Sequence, residues 1–107
     1  MRLLFVCSRN RLRSPTAEAV FPVYPGVEAM SAGISAEAET RVSAGLIEWA
    51  DAVHVMEKVH RGKLNERFKS QLKAKKLPVL DIRDDYSLMD PELVRILKVK
   101  VPRCVDL

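Results

Sequence analysis

Cys7 ends the apolar run from Leu3 to Val6, and Arg13 follows it six residues later with Ser14 and Pro15 directly behind. A thiol and a guanidinium carried by one strand-to-helix turn suit displacement at the central atom of an oxyanion. A turn of this length can curl so that successive backbone N–H groups face inward. The positive end of the following helix adds to them, and together they make an anion site. Asn10 tolerates the left-handed backbone that such a curl needs. Arg13 offers a planar fork to two oxygens of a bound oxyanion. Cys7 would lie beneath the central atom, where the same N–H groups favour thiolate over thiol, and a thiolate under phosphorus is set for in-line attack. An isolated cysteine at a strand end is more simply a small buried hydrophobe. The Cys-x5-Arg spacing, with Ser-Pro and a helix behind it, shifts the balance to the anion site. Ser8, Arg9, Asn10, Arg11, Leu12, Arg13 and Ser14 are therefore the phosphate-binding candidates, with Cys7 as nucleophile.

The rest of the chain must position that turn. The run from Leu3 to Val6 suits a strand buried on both faces. "SPTAEAVFPVY" follows as a helix with Ser14 as N-cap, Pro15 at the first helical position and Glu18 near the favourable dipole end. Ala17, Val20 and Phe21 face the sheet. "VEAMSAG" is a second strand closed by Gly33, and "SAGLIEWA" is a short helix capped by Ser43. "DAVHVME" is a third strand. "KVHRGKLNERFKSQLKAKK" is a basic helix with Val59, Leu64, Phe68 and Leu72 inward, and "LPVLDI" is a fourth strand. A last helix starts at Asp90-Pro91 and turns Leu93, Val94, Leu97 and Val101 to the core. Alternating strands and helices predict a three-layer α/β fold, flavodoxin-like, with four parallel strands in the order 2-1-3-4 and helices on both faces. Such a sheet binds ligands outside the carboxyl ends of its strands. Cys7, the Ser31–Gly33 turn, Glu57 and the Asp84-Asp85 pair therefore meet at one edge.

Composition sets the outer bounds. The 107 residues suit one domain spanning 1–107, and 48% hydrophobic residues suffice for a core. Two cysteines are too few for a disulfide scaffold and lack metal-ligand spacing, so no metal and a reducing, cytoplasmic compartment are expected. The opening apolar run is too short for a signal sequence, and no run approaches the roughly 18 residues of a membrane span. The net charge of +4 favours anionic partners without choosing among them. The lysine-rich stretch 58–76 has no aromatic interleaving, which disfavours nucleic acid and suggests a solvated basic face. His54 is expected to be packed inside a strand and His60 to be exposed on the basic helix.

"VCSRNRLRSPTAEAVF" resembles the phosphate-binding loop of the low-molecular-weight protein tyrosine phosphatases, in particular a short bacterial subgroup. "MSAG" (30–33), "WADAVHVMEKVHRGKL" (49–64) and "LDIRDDY" (80–86) extend the resemblance over most of the chain. It implies that Cys7 takes the phosphoryl group, Arg13 clamps its oxygens, and Ser14 hydrogen-bonds the thiolate. Asn10 holds the loop's shape, bonded to Ser31. Asp84 protonates the leaving oxygen and then activates water, with the adjacent Asp85 as the alternative acid. Tyr86 forms part of the wall beside the substrate ring. No cofactor is called for, because the N–H cradle and Arg13 supply positive charge where negative charge gathers.

The chain departs from the family in places. It is shorter than its usual relatives between Gly33 and Trp49, where they carry a helix and an aromatic wall, so a shallow, open site is expected. Trp49 is assigned to the core and Cys104 to packing. Arg9 and Arg11 replace a glycine and an apolar residue, and they either rim the pocket for a multiply charged substrate or stand as solvated charges. Leu12 stands where many relatives have a second cysteine. The leading reading is a cysteine-dependent phosphomonoesterase working through a phosphocysteine, on a phosphorylated protein or small phosphomonoester, as a monomer or weak homodimer. The alternatives are an arsenate reductase-like enzyme that borrows an external thiol and a non-catalytic module that binds anions or nucleic acid on the same fold.

Overall fold

The burial of β1 (Arg2–Cys7) explains its apolar sequence: every residue from Leu3 to Cys7 is buried, because both edges and both faces of the strand are covered. A computed structural model describes residues 1–107. β1 pairs in parallel with β2 (Glu28–Gly33) on one side and β3 (Ala52–Val55) on the other, giving the order β2-β1-β3. The register sets Cys7 opposite Gly33 and Val6 opposite Val55, so the three strands finish at one edge.

Five helices flank the sheet: α1 (Arg13–Val20), α2 (Ala44–Trp49), α3 (Lys58–Arg67), α4 (Lys69–Leu72) and α5 (Pro91–Lys100). Strand alternation divides them. Leu3, Phe5 and Cys7 share a core with Ala17 and Val20 of α1 and Leu93 and Leu97 of α5. Leu4 and Val6 share another with Ile47 of α2, Leu64 of α3 and Leu72 of α4. Leu3, Phe5, Leu93 and Leu97 are fully buried, each worth about 1.5–3 kcal/mol of hydrophobic burial. That packing fixes the height of β1 and with it the position of Cys7.

Helix ends follow the capping chemistry in two of three expected places. Ser43 Oγ accepts from Leu46 N at 3.2 Å, and Asp90 Oδ1 accepts from Glu92 N at 2.9 Å ahead of Pro91. α1 differs. It begins at Arg13, so Leu12 holds the cap position without a side-chain bond and Pro15 stands third in the helix. Ser14 is drawn to another partner, described below.

The fourth strand is a correction: the sheet has three strands, not four. Residues 76–82 run beside β3 and bond to it through Val53 N to Lys76 O, Val55 N to Pro78 O and Leu80 N to Val55 O, at 2.8–3.0 Å. A continuous parallel ladder would need residue 78 to donate between these bonds, and Pro78 has no N–H. Asp81, with φ +56°, then turns the chain out of the extended conformation. The long basic helix is also broken, at Phe68 (φ −129°, ψ 36°), into α3 and α4. Leu64, Phe68 and Leu72 face the core as expected, but Val59 is exposed and His60 is buried in its place. No helix is long and apolar enough to cross a membrane.

Candidate active site

The segment between β1 and α1 lies on the strand ends. Asn10 takes φ +57°, which reverses the backbone in the middle of the turn. Asn10 Nδ2 donates to Ser31 Oγ at 2.8 Å and to Ser14 Oγ at 3.0 Å. Ser31 in turn donates to Glu18 Oε1 at 2.6 Å. Ser14 Oγ accepts from Asn10 and lies 2.9 Å from Cys7 Sγ, with Ala32 O as a second acceptor within reach of its proton at 3.5 Å. When the sulfur is a thiolate, the hydroxyl is the donor of that bond and stabilises the charge.

No backbone N–H from Ser8 to Ser14 has an acceptor within the protein, whereas the carbonyls of Cys7, Ser8 and Arg9 are taken. Ile34 N bonds to Cys7 O at 3.0 Å, Ser35 N to Ser8 O at 2.9 Å and Glu39 N to Arg9 O at 3.2 Å. With these carbonyls held from outside, the turn leaves a run of backbone donors available to an anion. Gly33 permits the close approach: a Cβ there would stand 2.5 Å from Ala38 Cβ and 2.6 Å from Ser8 O.

Arg13 is 3% exposed. Its Nη1 donates to Glu57 Oε2 at 2.6 Å and to Ile82 O at 2.7 Å, which fixes the guanidinium plane. Nη2 has no protein partner, and Nε lies 3.7 Å from Asp84 Oδ1. The Nε–Nη2 edge is therefore open as a side-on fork. A cleft of about 510 Å³ lies over Cys7, with Ser8, Arg13 and Asp84 in its wall and Arg9, Arg11 and Leu12 beside them.

His60 is 1% exposed and belongs to this structure, contrary to the sequence expectation. Its Nδ1 accepts from Glu57 N at 3.1 Å, so Nε2 carries the proton and donates to Ser8 Oγ at 3.0 Å. Burial, reinforced by the Arg13 charge, lowers its pKa from 6.5 to about 4, and the ring is neutral at neutral pH. The Ser8 hydroxyl proton is left free to point elsewhere.

The structure brings Cys7, Asn10, Arg13, Ser14, Ser31, Glu57 and Asp84 to one edge, as the parallel topology requires. Asp85 is not in the cleft wall and pairs with Arg83 Nη2 at 3.0 Å. Tyr86 lines a separate hollow with Arg83, Ile96 and Lys100. Cys104 lies past α5, its thiol 3.6 Å from Lys100 O. Sequence reasoning missed His60 and the Glu18–Ser31 link. The reciprocal spacing of Glu57 and His60 at a helix start was the available signal for the first; the second joins residues on two elements and had none.

A family model described as low molecular weight phosphotyrosine protein phosphatase matches residues 2–72. No match is found among curated proteins. Among solved structures the chain is similar to the YwlE arginine phosphatase from Geobacillus stearothermophilus, at 27% identity over 91% of this chain and 88% of that one, with a TM-score of 0.73. It is similar in fold to a low molecular weight protein tyrosine phosphatase from T. tengcongensis, at 21% identity over 96% and 99% of the two chains, with a TM-score of 0.76. The tyrosine phosphatase Wzb from Escherichia coli K30, in complex with phosphate, shares the fold at 19% identity over 95% and 94%, with a TM-score of 0.75.

Proposed function

The chain belongs to the low molecular weight phosphotyrosine protein phosphatase family, whose members are metal-independent cysteine phosphatases, and from that premise we propose that Cys7, Arg13 and Asp84 carry its chemistry on phosphomonoesters. The observation that supports this most is the pairing of Cys7 Sγ with the Ser14 hydroxyl at 2.9 Å beneath a turn whose N–H groups have no protein acceptor.

The phosphoryl group sits in the N–H cradle, with two oxygens on the Nε–Nη2 edge of Arg13 and a third near the Ser8 hydroxyl. The thiolate attacks in line: a P–S bond forms while the P–O bond to the leaving group breaks. The electron pair departs on that oxygen, which takes a proton from Asp84. Water then attacks the phosphocysteine and gives a proton to Asp84, and the P–S electrons return to sulfur. The Ser14 hydroxyl steadies the negative charge on sulfur at both stages.

Asp84 is favoured over Asp85 because it lies in the cleft wall, whereas Asp85 is engaged with exposed Arg83. Tyr86 is not carried into the proposal. The relative at 27% identity is an arginine phosphatase. Phosphoarginine has a cationic leaving group, which Arg9 and Arg11 at the cleft would oppose, so phosphomonoesters are the better-supported class.

The test is hydrolysis of p-nitrophenyl phosphate and phenyl phosphate by the parent, Cys7→Ser, Asp84→Asn and Asp85→Asn. Cys7→Ser has no turnover. Asp84→Asn slows phenyl phosphate by about 10²–10⁴-fold and p-nitrophenyl phosphate less, because the better leaving group needs less proton transfer. Asp85→Asn stays close to the parent. Turnover by Cys7→Ser sinks the proposal, and a larger fall in Asp85→Asn moves the acid to that residue.

A further inference from the structure

The cleft over Cys7 has no aromatic wall. None of the chain's six aromatic side chains lines it. Phe5, Phe21 and Tyr24 stack on one another in the core, with centroids 5.4 and 5.7 Å apart. Trp49 lies under the Arg2 guanidinium and Phe68 packs on the second core. Tyr86 lines its own hollow beside α5. An aryl leaving group thus has no ring to stack on.

The cleft has two cations in that place. Arg9 and Arg11 both line it, on either side of the reversed residue Asn10. Arg9 has no carboxylate within ion-pair distance. Arg11 has only Glu39, at 3.6 Å and with both side chains more than half exposed. Such a pair contributes little and yields readily to a competing anion. The backbone that carries the two arginines is firm. Glu39 N holds Arg9 O, Ser35 N holds Ser8 O, and Gly33 lets the chain approach the Arg9 carbonyl carbon closely. Arg13, by contrast, is already balanced by Glu57 at 2.6 Å. The unbalanced positive charge of the cleft lining is therefore on Arg9 and Arg11.

We propose that Arg9 and Arg11 form a second anion-binding subsite, and that the preferred substrates are phosphomonoesters with a further carboxylate or phosphate beside the ester. The proposal rests on the cysteine-phosphatase reading above and adds its substrate class. Binding energy comes from charge at the rim in place of stacking, and it weakens with salt because both arginines are solvated.

The experiment compares 4-carboxyphenyl phosphate with its neutral isostere 4-carbamoylphenyl phosphate in the parent and in Arg9→Gln/Arg11→Gln. Comparing the ratio of kcat/KM values between proteins cancels the intrinsic difference between the esters. We expect the preference for the carboxylate ester to fall about tenfold in the double variant, chiefly through KM. In the parent alone it declines as NaCl rises from 20 to 500 mM, a reading that needs no variant. A phosphotyrosine peptide pair with Asp or Asn next to the phosphorylated residue shows which source supplies the anion. A charge preference confined to the esters assigns it to the leaving group, and one confined to the peptides assigns it to the neighbouring residue. Hydrolysis of all four substrates with ratios that neither salt nor the substitutions change overturns the subsite and leaves the phosphatase reading standing. No Cys7-dependent hydrolysis of any of them overturns both.

Discussion

Two buried histidines should make this protein lose stability on mild acidification, before most carboxylates protonate. His54 lies against Phe5 with ring centroids 5.2 Å apart, and both its nitrogens are buried without a hydrogen-bond partner. Burial lowers its pKa from 6.5 to about 4, and His60 is lowered to the same value by burial and by Arg13. The folded state thus keeps both rings neutral in a window where the unfolded chain protonates them. Stability is full above pH 6.5 and is lost as pH falls towards 4. At pH 5 each histidine favours the unfolded state by about 2 kcal/mol relative to pH 7.5, and the pair by about 4. That is a large share of the 5–15 kcal/mol typical of a domain. Urea melts followed by circular dichroism at pH 7.5 and 5.0 measure the difference directly. His54→Leu should halve the pH-dependent loss. It should also raise stability at pH 7.5 by about 1–3 kcal/mol, because two unpaired buried polar atoms disappear. If the loss between the two pH values is as large in His54→Leu as in the parent, the attribution to His54 is wrong.

Two further perturbations examine the turn. Gly33→Ala places a methyl group against Ala38 Cβ and Ser8 O, so the turn must move; we expect a cost of about 1–3 kcal/mol and a fall in kcat/KM of about 100-fold. Parent-like kinetics in Gly33→Ala would show that the close approach does not hold the cradle. Asn10→Ala removes the bonds to Ser14 and Ser31 and leaves an alanine at φ +57°. Asn10→Gly removes the same bonds without the backbone strain, so thermal melts should find it about 1–2 kcal/mol more stable than Asn10→Ala; equal stability would contradict a strained backbone at this position.

The parts legible in the sequence were those whose physical cause is local. Cys7 and Arg13 share one turn, Ser43 and Asp90 cap helices that begin one residue later, and the apolar run of β1 declares a strand covered on both faces. Apolar content alone suggests a fourth strand, although Pro78 stands where a donor is needed. Ser14 carried a cap signature but bonds to Cys7 instead, because a thiol seven residues back competes for its hydroxyl. A basic helix implies a solvent-exposed His60, yet its partner Ser8 lies 52 residues away, and no local pattern reports such a contact. The inner stripe of α3 is His60–Leu64, with a polar ring in an apolar place. Periodicity therefore pointed to Val59, one position off.

Arg13 shows why the distant segments converge as they do. A guanidinium that is 3% exposed is very costly to bury unless its donors are met. Its partners come from beyond its own turn: Glu57 follows β3, and the Ile82 carbonyl and Asp84 follow the segment beside β3. The residue placed to hold an oxyanion is thus also the one that ties the ends of two later segments to the first turn. Nη1 serves the fold, while Nη2 and Nε remain for a ligand. Removing the whole side chain would confound the two roles. Glu57→Gln separates them, because it keeps one acceptor oxygen for Nη1 while withdrawing the charge. Weaker folding with intact phosphate affinity in that variant would place Glu57 with the scaffold; altered phosphate affinity at unchanged stability would place it with the electrostatics of the cleft.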